Sequence, residues 1–201
     1  MPKTLQASAR SRPKGDKRER TRAKLLEAAR ALIRERGYEH ATLEAIAERA
    51  GMTTGAIYGN FKNRDELLLA LGQTYWAPIK PRVKPGASFS KVMHAMAKAT
   101  IAALPERASA AVGRLTGLAY TLTHEELRAR VASFTAESYA TGEQWLRQVV
   151  KKDDLPMPAG QLVRVLHALT EGLVFQRLLT PELLPDEVIR AAFVALAVKR
   201  R

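Results

Sequence analysis

Apolar residues recur at helical spacing along nearly the whole chain, and no stretch alternates apolar with polar residues between turn clusters. That pattern argues against sandwiches, barrels and βαβ units and leaves an all-α fold. The first helix opens with Asp16 and Glu19 at capping-box spacing, carries Leu25, Leu26, Ala29, Leu32 and Ile33 as a stripe, and stops at Gly37. Thr42 can cap a second helix of about two turns, in which Leu43, Ile46, Ala47 and Ala50 fall at i, i+3, i+4 and i+7 before Gly51. Thr53 caps a short third helix, and Asn63 with Glu66 opens a fourth. The basic, proline-rich stretch Pro78 to Ser88 cannot be regular helix. Beyond it, helices are expected at 90–104, 109–121, 125–150, 159–179 and 186–198, about nine in total. Pro105 and the box from Thr123 to Glu126 mark two of the breaks.

A chain of 201 residues, 46% of them apolar, can build a core without staples. The absence of cysteine removes disulfides, thiolate zinc sites and thiol nucleophiles together and fits a reducing compartment. The longest uncharged run, Leu67 to Ile79, is 13 residues and is interrupted by Gly72 and Pro78, too short to span a bilayer. No apolar stretch follows the basic N-terminus, so it does not read as a signal peptide, and a cytoplasmic location with no membrane partner is expected. The formal net charge of +13 favours a polyanion, either nucleic acid or an anionic membrane surface. The aperiodic start, with Arg10, Arg12 and Lys14, reads as a disordered basic arm over 1–15. A domain over 16–66 and a larger one over 67–201 complete the expected organisation.

Two short helices separated by Ala50-Gly51-Met52-Thr53 carry the signature of a helix-turn-helix, which needs a tight turn and an apolar seam, here Ile46, Ile57 and Phe61. Ordinary helical hairpins share both features; the charge favours DNA. Opposite the seam, the third helix presents Gly55, Tyr58 and Gly59. Each glycine inside a helix costs about 1 kcal/mol relative to alanine, so a close approach to another surface is the reason to expect. Tyr58 offers a rigid hydroxyl suited to a phosphate oxygen, and Thr54 and Asn60 are short polar groups able to reach base edges. Thr42 and Thr53 would serve as N-caps with or without DNA.

The run TRAKLLEAARALIRERGYEHATLEAIAERAGMTTGAIYGNFKNRDELLLAL, Thr21 to Leu71, closely resembles the N-terminal DNA-binding domain of the TetR family of transcriptional regulators. The resemblance implies an all-helical homodimer with three N-terminal helices forming the DNA-binding unit and a larger helical ligand-binding and dimerisation domain. It also implies that Thr42 bonds a backbone phosphate, that Thr53, Thr54 and Ala56 lie in the major groove, and that Tyr58 contacts phosphate or a base. Arg64 stands where the family usually has a phosphate-binding lysine, and Lys62 is a further phosphate candidate. The small Gly59 and Asn60 depart from the family's larger side chains, so part of the specificity is expected from DNA shape or from the arm.

In the remainder no catalytic constellation stands out: no phosphate loop, no Gly-x-Ser-x-Gly elbow, no His-Glu-x-x-His helix, and four scattered histidines. No enzyme activity, cofactor or metal is therefore expected. Met93, Met96, Leu118, Tyr120, Phe134, Tyr139 and Trp145 could line an apolar effector pocket or simply fill the core. Glu171, acidic within an apolar run, is exposed, salt-bridged or facing a cationic ligand group. Leu162, Leu166, Leu169, Leu173, Val188, Phe193 and Leu196 are more apolar surface than one inward stripe needs, which points to a dimer interface, as the resemblance does. The sequence therefore reads as a ligand-responsive transcriptional regulator, a repressor binding a palindromic operator in double-stranded DNA as a homodimer and released by a small-molecule effector. A non-specific basic DNA-binding protein, or a helical small-molecule-binding protein or enzyme, are the alternatives.

Overall fold

The computed structural model describes residues 14–151 and 154–197, with side chains from residue 17 onward. Arg10, Arg12 and the arm as far as residue 13 lie outside the described residues, as does Val198, the expected last helical residue. Eight helices follow one another among the described residues: α1 (Lys14–Arg36), α2 (Leu43–Arg49), α3 (Thr54–Tyr58), α4 (Arg64–Tyr75), α5 (Phe89–Thr123), α6 (Glu125–Val149), α7 (Ala159–Leu179) and α8 (Asp186–Ala195). The chain divides into two compact units between Leu71 and Gly72, inside α4, five residues beyond the boundary expected at 66/67.

Local signals account for most of the N-terminal unit. Gly37 and Gly51 adopt φ of 81° and 64°, the left-handed conformation that closes a helix and that a side chain would strain. Thr42 Oγ1 accepts from the Ala45 N–H at 3.1 Å, and Thr53 Oγ1 from the Ala56 N–H at 3.2 Å, so both threonines cap as their positions demand. Asn63 Oδ1 accepts from the Glu66 N–H, and a Glu66 carboxylate oxygen accepts from the Lys62 N–H, one residue before Asn63, so the two bonds together hold the start of α4. One start differs. α1 begins at Lys14, so Asp16 lies inside the helix; the sequence places Pro13 just before, a residue type suited to helix entry.

In the core of this unit, Leu25, Ala29, Ile46, Ile57, Phe61 and Leu67 are fully or almost fully buried. Arg22 stacks its guanidinium 4.3 Å from the Phe61 ring centroid and donates to the Asn60 carbonyl, tying α1 to the end of α3. Arg49 pairs with Glu35 through two hydrogen bonds of 2.7 and 2.6 Å, fixing the end of α2 to α1.

The C-terminal unit packs α5, α6, α7 and α8 around Phe89, Val92, Met93, Met96, Leu146, Leu162, Leu166, Ile189 and Phe193. Here the expected helices 90–104 and 109–121 are one helix of 35 residues with Pro105 inside it, which reduces nine helices to eight. Proline removes one intrahelical bond and normally breaks a helix at a cost of about 3 kcal/mol. Its ring is on the exposed side, and the buried residues in the preceding turns hold the helix across the gap. The box from Thr123 to Glu126 is not formed either. Thr123 is the last residue of α5 and donates back to the Tyr120 carbonyl, while His124 is the junction residue, stacked on Tyr120 at 3.7 Å. α6 and α7 come together at Gly142, where an added Cβ would lie 3.1 Å from Val163 Cγ1. Arg177 closes the turn between α7 and α8 by donating to the Leu184 carbonyl and pairing with Asp186.

Candidate nucleic-acid interface

The face opposite the Ile57–Phe61 seam is open. Thr53, Thr54, Gly55, Tyr58 and Gly59 are exposed, with Ala56 half-buried behind them. An alanine Cβ at Gly55 would meet nothing closer than Thr53 Oγ1 at 3.9 Å, and the Gly55 φ is not positive. This glycine is therefore not required by the turn or by any neighbour among the described residues. Beside the face lies a cleft lined by Thr42, Leu43, Glu44, Tyr58, Lys62, Asn63 and Arg64. The threonine cap of α2, the tyrosine and the lysine expected to meet phosphate are thus brought to one place.

Three of the residues expected to make contacts also hold partners within their own unit. Asn60 is half-buried and its Nδ2 donates to the Ala56 carbonyl, one turn back along α3, so it does not extend toward base edges. Arg64 donates from Nε to the Ala41 carbonyl at 3.0 Å and from Nη2 to the Tyr38 carbonyl, a clamp on the link between α1 and α2. Tyr58 is half exposed, but its hydroxyl donates to Glu44 Oε1 at 2.9 Å. Glu44 was missed by sequence reasoning because an acidic residue in the first turn of a helix has a local explanation in the helix dipole. Its carboxyl is held below the usual glutamate range, chiefly by its own backbone hydrogen bond and then by Tyr58, while the Tyr58 phenol is raised by Glu44.

The residues expected to line an effector pocket fall into different surroundings. Met93 and Met96 belong to the core of the C-terminal unit, and Trp145 packs against it. Leu118 and Phe134 are half-buried; Tyr120 is stacked on His124, and the Tyr139 hydroxyl shares a 2.8 Å hydrogen bond with His167 Nδ1. Glu171 does not offer itself to a cation, because Oε1 accepts from the Trp76 indole at 2.6 Å and Oε2 pairs with Arg114 at 3.3 Å. Arg107, almost fully buried, sits over the Trp76 ring at 4.6 Å and donates to the Tyr75 and Ala77 carbonyls. Burial pushes its guanidinium down from the ordinary arginine value, against the opposing pull of Glu171. Trp76 also stacks on Phe175 at 5.3 Å.

Among the residues expected at a dimer interface, Leu162, Leu166, Leu173 and Phe193 are buried in the core of their own unit, and Leu169 and Leu196 pack against it. Only Val188 is exposed, and helical periodicity cannot say which body buries a leucine stripe. Open apolar surface lies elsewhere on the same helices. Val165, Ala168, Gly172 and Leu179 share one exposed face of α7 by their spacing, as Val188, Ala191 and Ala195 do on α8. Among the described residues no helix is long and apolar enough to cross a membrane.

Residues 25–71 match the family model described as bacterial regulatory proteins, tetR family. Over 51 residues the chain is 51% identical to the HTH-type transcriptional regulator TtgR of Pseudomonas putida, a stretch covering 25% of this chain and 24% of that protein. Over 59 residues it is 41% identical to the HTH-type transcriptional repressor AcnR of Corynebacterium glutamicum, covering 29% of this chain and 31% of the relative. The match thus spans a quarter to a third of these relatives' lengths. The fold extends further. Salmonella enterica GusR superposes with a TM-score of 0.67 at 16% identity, over 89% of this chain and 95% of that one. A SmeT–triclosan complex superposes with a TM-score of 0.58 at 22% identity, over 89% and 90%. It is residues 25–71, the helix-turn-helix segment, that are similar to the tetR family of bacterial regulatory proteins.

Proposed function

We propose that this chain is a DNA-binding transcriptional regulator, a repressor, which places two copies of α3 in successive major grooves of a two-fold symmetric operator and is released by a small molecule. The observation that carries the reading is the unobstructed face of Thr54, Gly55 and Tyr58 beside the cleft of Thr42 and Lys62. Thr53, Thr54, Gly55 and Ala56 are assigned to the groove; Thr42, Tyr58 and Lys62 are assigned to phosphate. Asn60 and Arg64 are withdrawn from the contact set and given the role of shaping the unit. With few long side chains on that face, DNA shape carries part of the specificity.

The exposed apolar stripes on α7 and α8 support pairing of two copies, with Val165, Gly172 and Val188 at the contact. Two-fold pairing sets the recognition helices about 34–36 Å apart. The buried Trp76 and Arg107, with the partly exposed Arg114 and Glu171, support an effector site in the C-terminal unit, since a ligand competing for those charges alters what holds Trp76 and Ala77, just after α4. Such a ligand shifts the equilibrium only by its difference in affinity for the two conformations.

Selection of bound duplexes from a random-sequence library tests the reading. Enrichment of an inverted repeat, with affinity falling steeply as salt rises, is expected. Binding that falls with salt but enriches no sequence identifies a non-specific DNA-binding protein instead.

A further inference from the structure

Tyr58 carries one phenolic proton, and in the structure that proton is directed to Glu44 Oε1 across 2.9 Å. Phosphate oxygens accept hydrogen bonds and donate none. Tyr58 can therefore serve Glu44 or a phosphate, and not both at once. Both side chains are exposed and line the same cleft as Thr42 and Lys62. A phosphate drawn to that cleft meets a carboxylate on its wall.

We propose that Glu44 is a negative determinant of DNA affinity, which holds the Tyr58 hydroxyl in the unbound protein and must surrender it before that hydroxyl can bond a phosphate. The inference rests on the reading of this face as the DNA interface and adds a residue that opposes binding. Engagement then has two costs that the other contacts must exceed: loss of a hydrogen bond to an anion, and close approach of two negative groups. Glu44 favours release, because each dissociating phosphate is replaced at once by an acceptor already in place. The device works without movement of the backbone; only the Tyr58 hydroxyl changes partner.

The test is fluorescence anisotropy of the full chain on a labelled 30-base-pair duplex of random sequence at fixed salt, with wild type, Glu44→Gln, Tyr58→Phe and the double variant. Exposed charged contacts of this kind alter affinity by about two- to fivefold, so Glu44→Gln is expected to bind about two- to fivefold more tightly than wild type. The same substitution in the Tyr58→Phe background is expected to give at most half of that gain, because the proton under competition is gone. Weaker or unchanged binding by Glu44→Gln overturns the proposal, and so does a gain in the Tyr58→Phe background above half of the wild-type gain, which leaves general charge as the cause. Thermal melting verifies that each variant is folded; Glu44→Ala replaces the glutamine if that variant melts early. Wild type that binds no duplex at any salt defeats the DNA reading itself, whereas wild type that binds while Glu44→Gln changes nothing defeats only the role of Glu44.

Discussion

Replacing Gly55 with alanine separates what α3 needs for folding from what it needs for contact. The Gly55 backbone is not left-handed, and a Cβ there would lie 3.9 Å from its nearest neighbour, ordinary van der Waals contact. Alanine at a compatible site stabilises by about 0.4–1 kcal/mol, mainly by narrowing the unfolded ensemble. For a chain of this length that corresponds to roughly 1–4 °C in Tm. If the bare backbone is there to lie close to DNA, the added methyl forces the helix outward. A tenfold loss per half-site, about 1.4 kcal/mol, becomes about a hundredfold for a dimer engaging both. The expected result is therefore a protein that melts higher and binds worse. Gly113→Ala is the control, since Gly113 lies within α5 with nothing within 4 Å of its Cβ position, and it should stabilise without changing affinity. Calorimetry and anisotropy on the selected duplex give both quantities. Unchanged binding by Gly55→Ala would refute the close-approach argument, and a lower Tm would refute the propensity argument beneath it.

Other consequences can be measured directly. Arg64→Gln is expected to lower Tm by removing the clamp on the Tyr38 and Ala41 carbonyls, while an unchanged dependence of binding on salt would support the proposal that Arg64 makes no phosphate contact and a shallower slope would overturn it. Gly142→Val forces a branched side chain against Val163 and should destabilise by about 1–3 kcal/mol in chemical denaturation. Val165→Asp combined with Val188→Asp should give a folded monomer by light scattering; a dimer that survives places the interface away from these stripes. Glu35 is held below the usual glutamate range, first by its hydrogen bonds from Arg49. A lowered folded-state pKa means the contribution is present above the unfolded value of about 4.3 and fades as pH falls through the folded one. Glu35→Gln should therefore narrow the stability gap to wild type as pH falls below about 4, by urea denaturation.

What could be read from the sequence was what is decided within a turn or two of helix. Thr42 and Thr53 cap their helices through N–H groups three residues on, and Gly37 and Gly51 stop helices by their own conformation, so each signal needed no knowledge of the rest. The rest depended on distant partners. Pro105 carries a local penalty that the packing of α5 overrides. Leu162 and Phe193 satisfy a helical stripe equally well in their own core or against a second copy, and periodicity does not distinguish the two. Asn60, Arg64 and Glu44 are polar groups whose partners, from 4 to 26 residues away, decide whether they face outward or inward. Their identities placed them in the right unit without showing where their hydrogen bonds would go.

Hydroxyl-radical footprinting of the full chain on a duplex recovered by selection addresses the central claim. Two protected patches related by two-fold symmetry, centred about one helical turn apart, are predicted, and both should vanish together in Gly55→Ala. Uniform protection along the duplex, or protection that Gly55→Ala leaves intact, would contradict the assignment of α3 as the reading element.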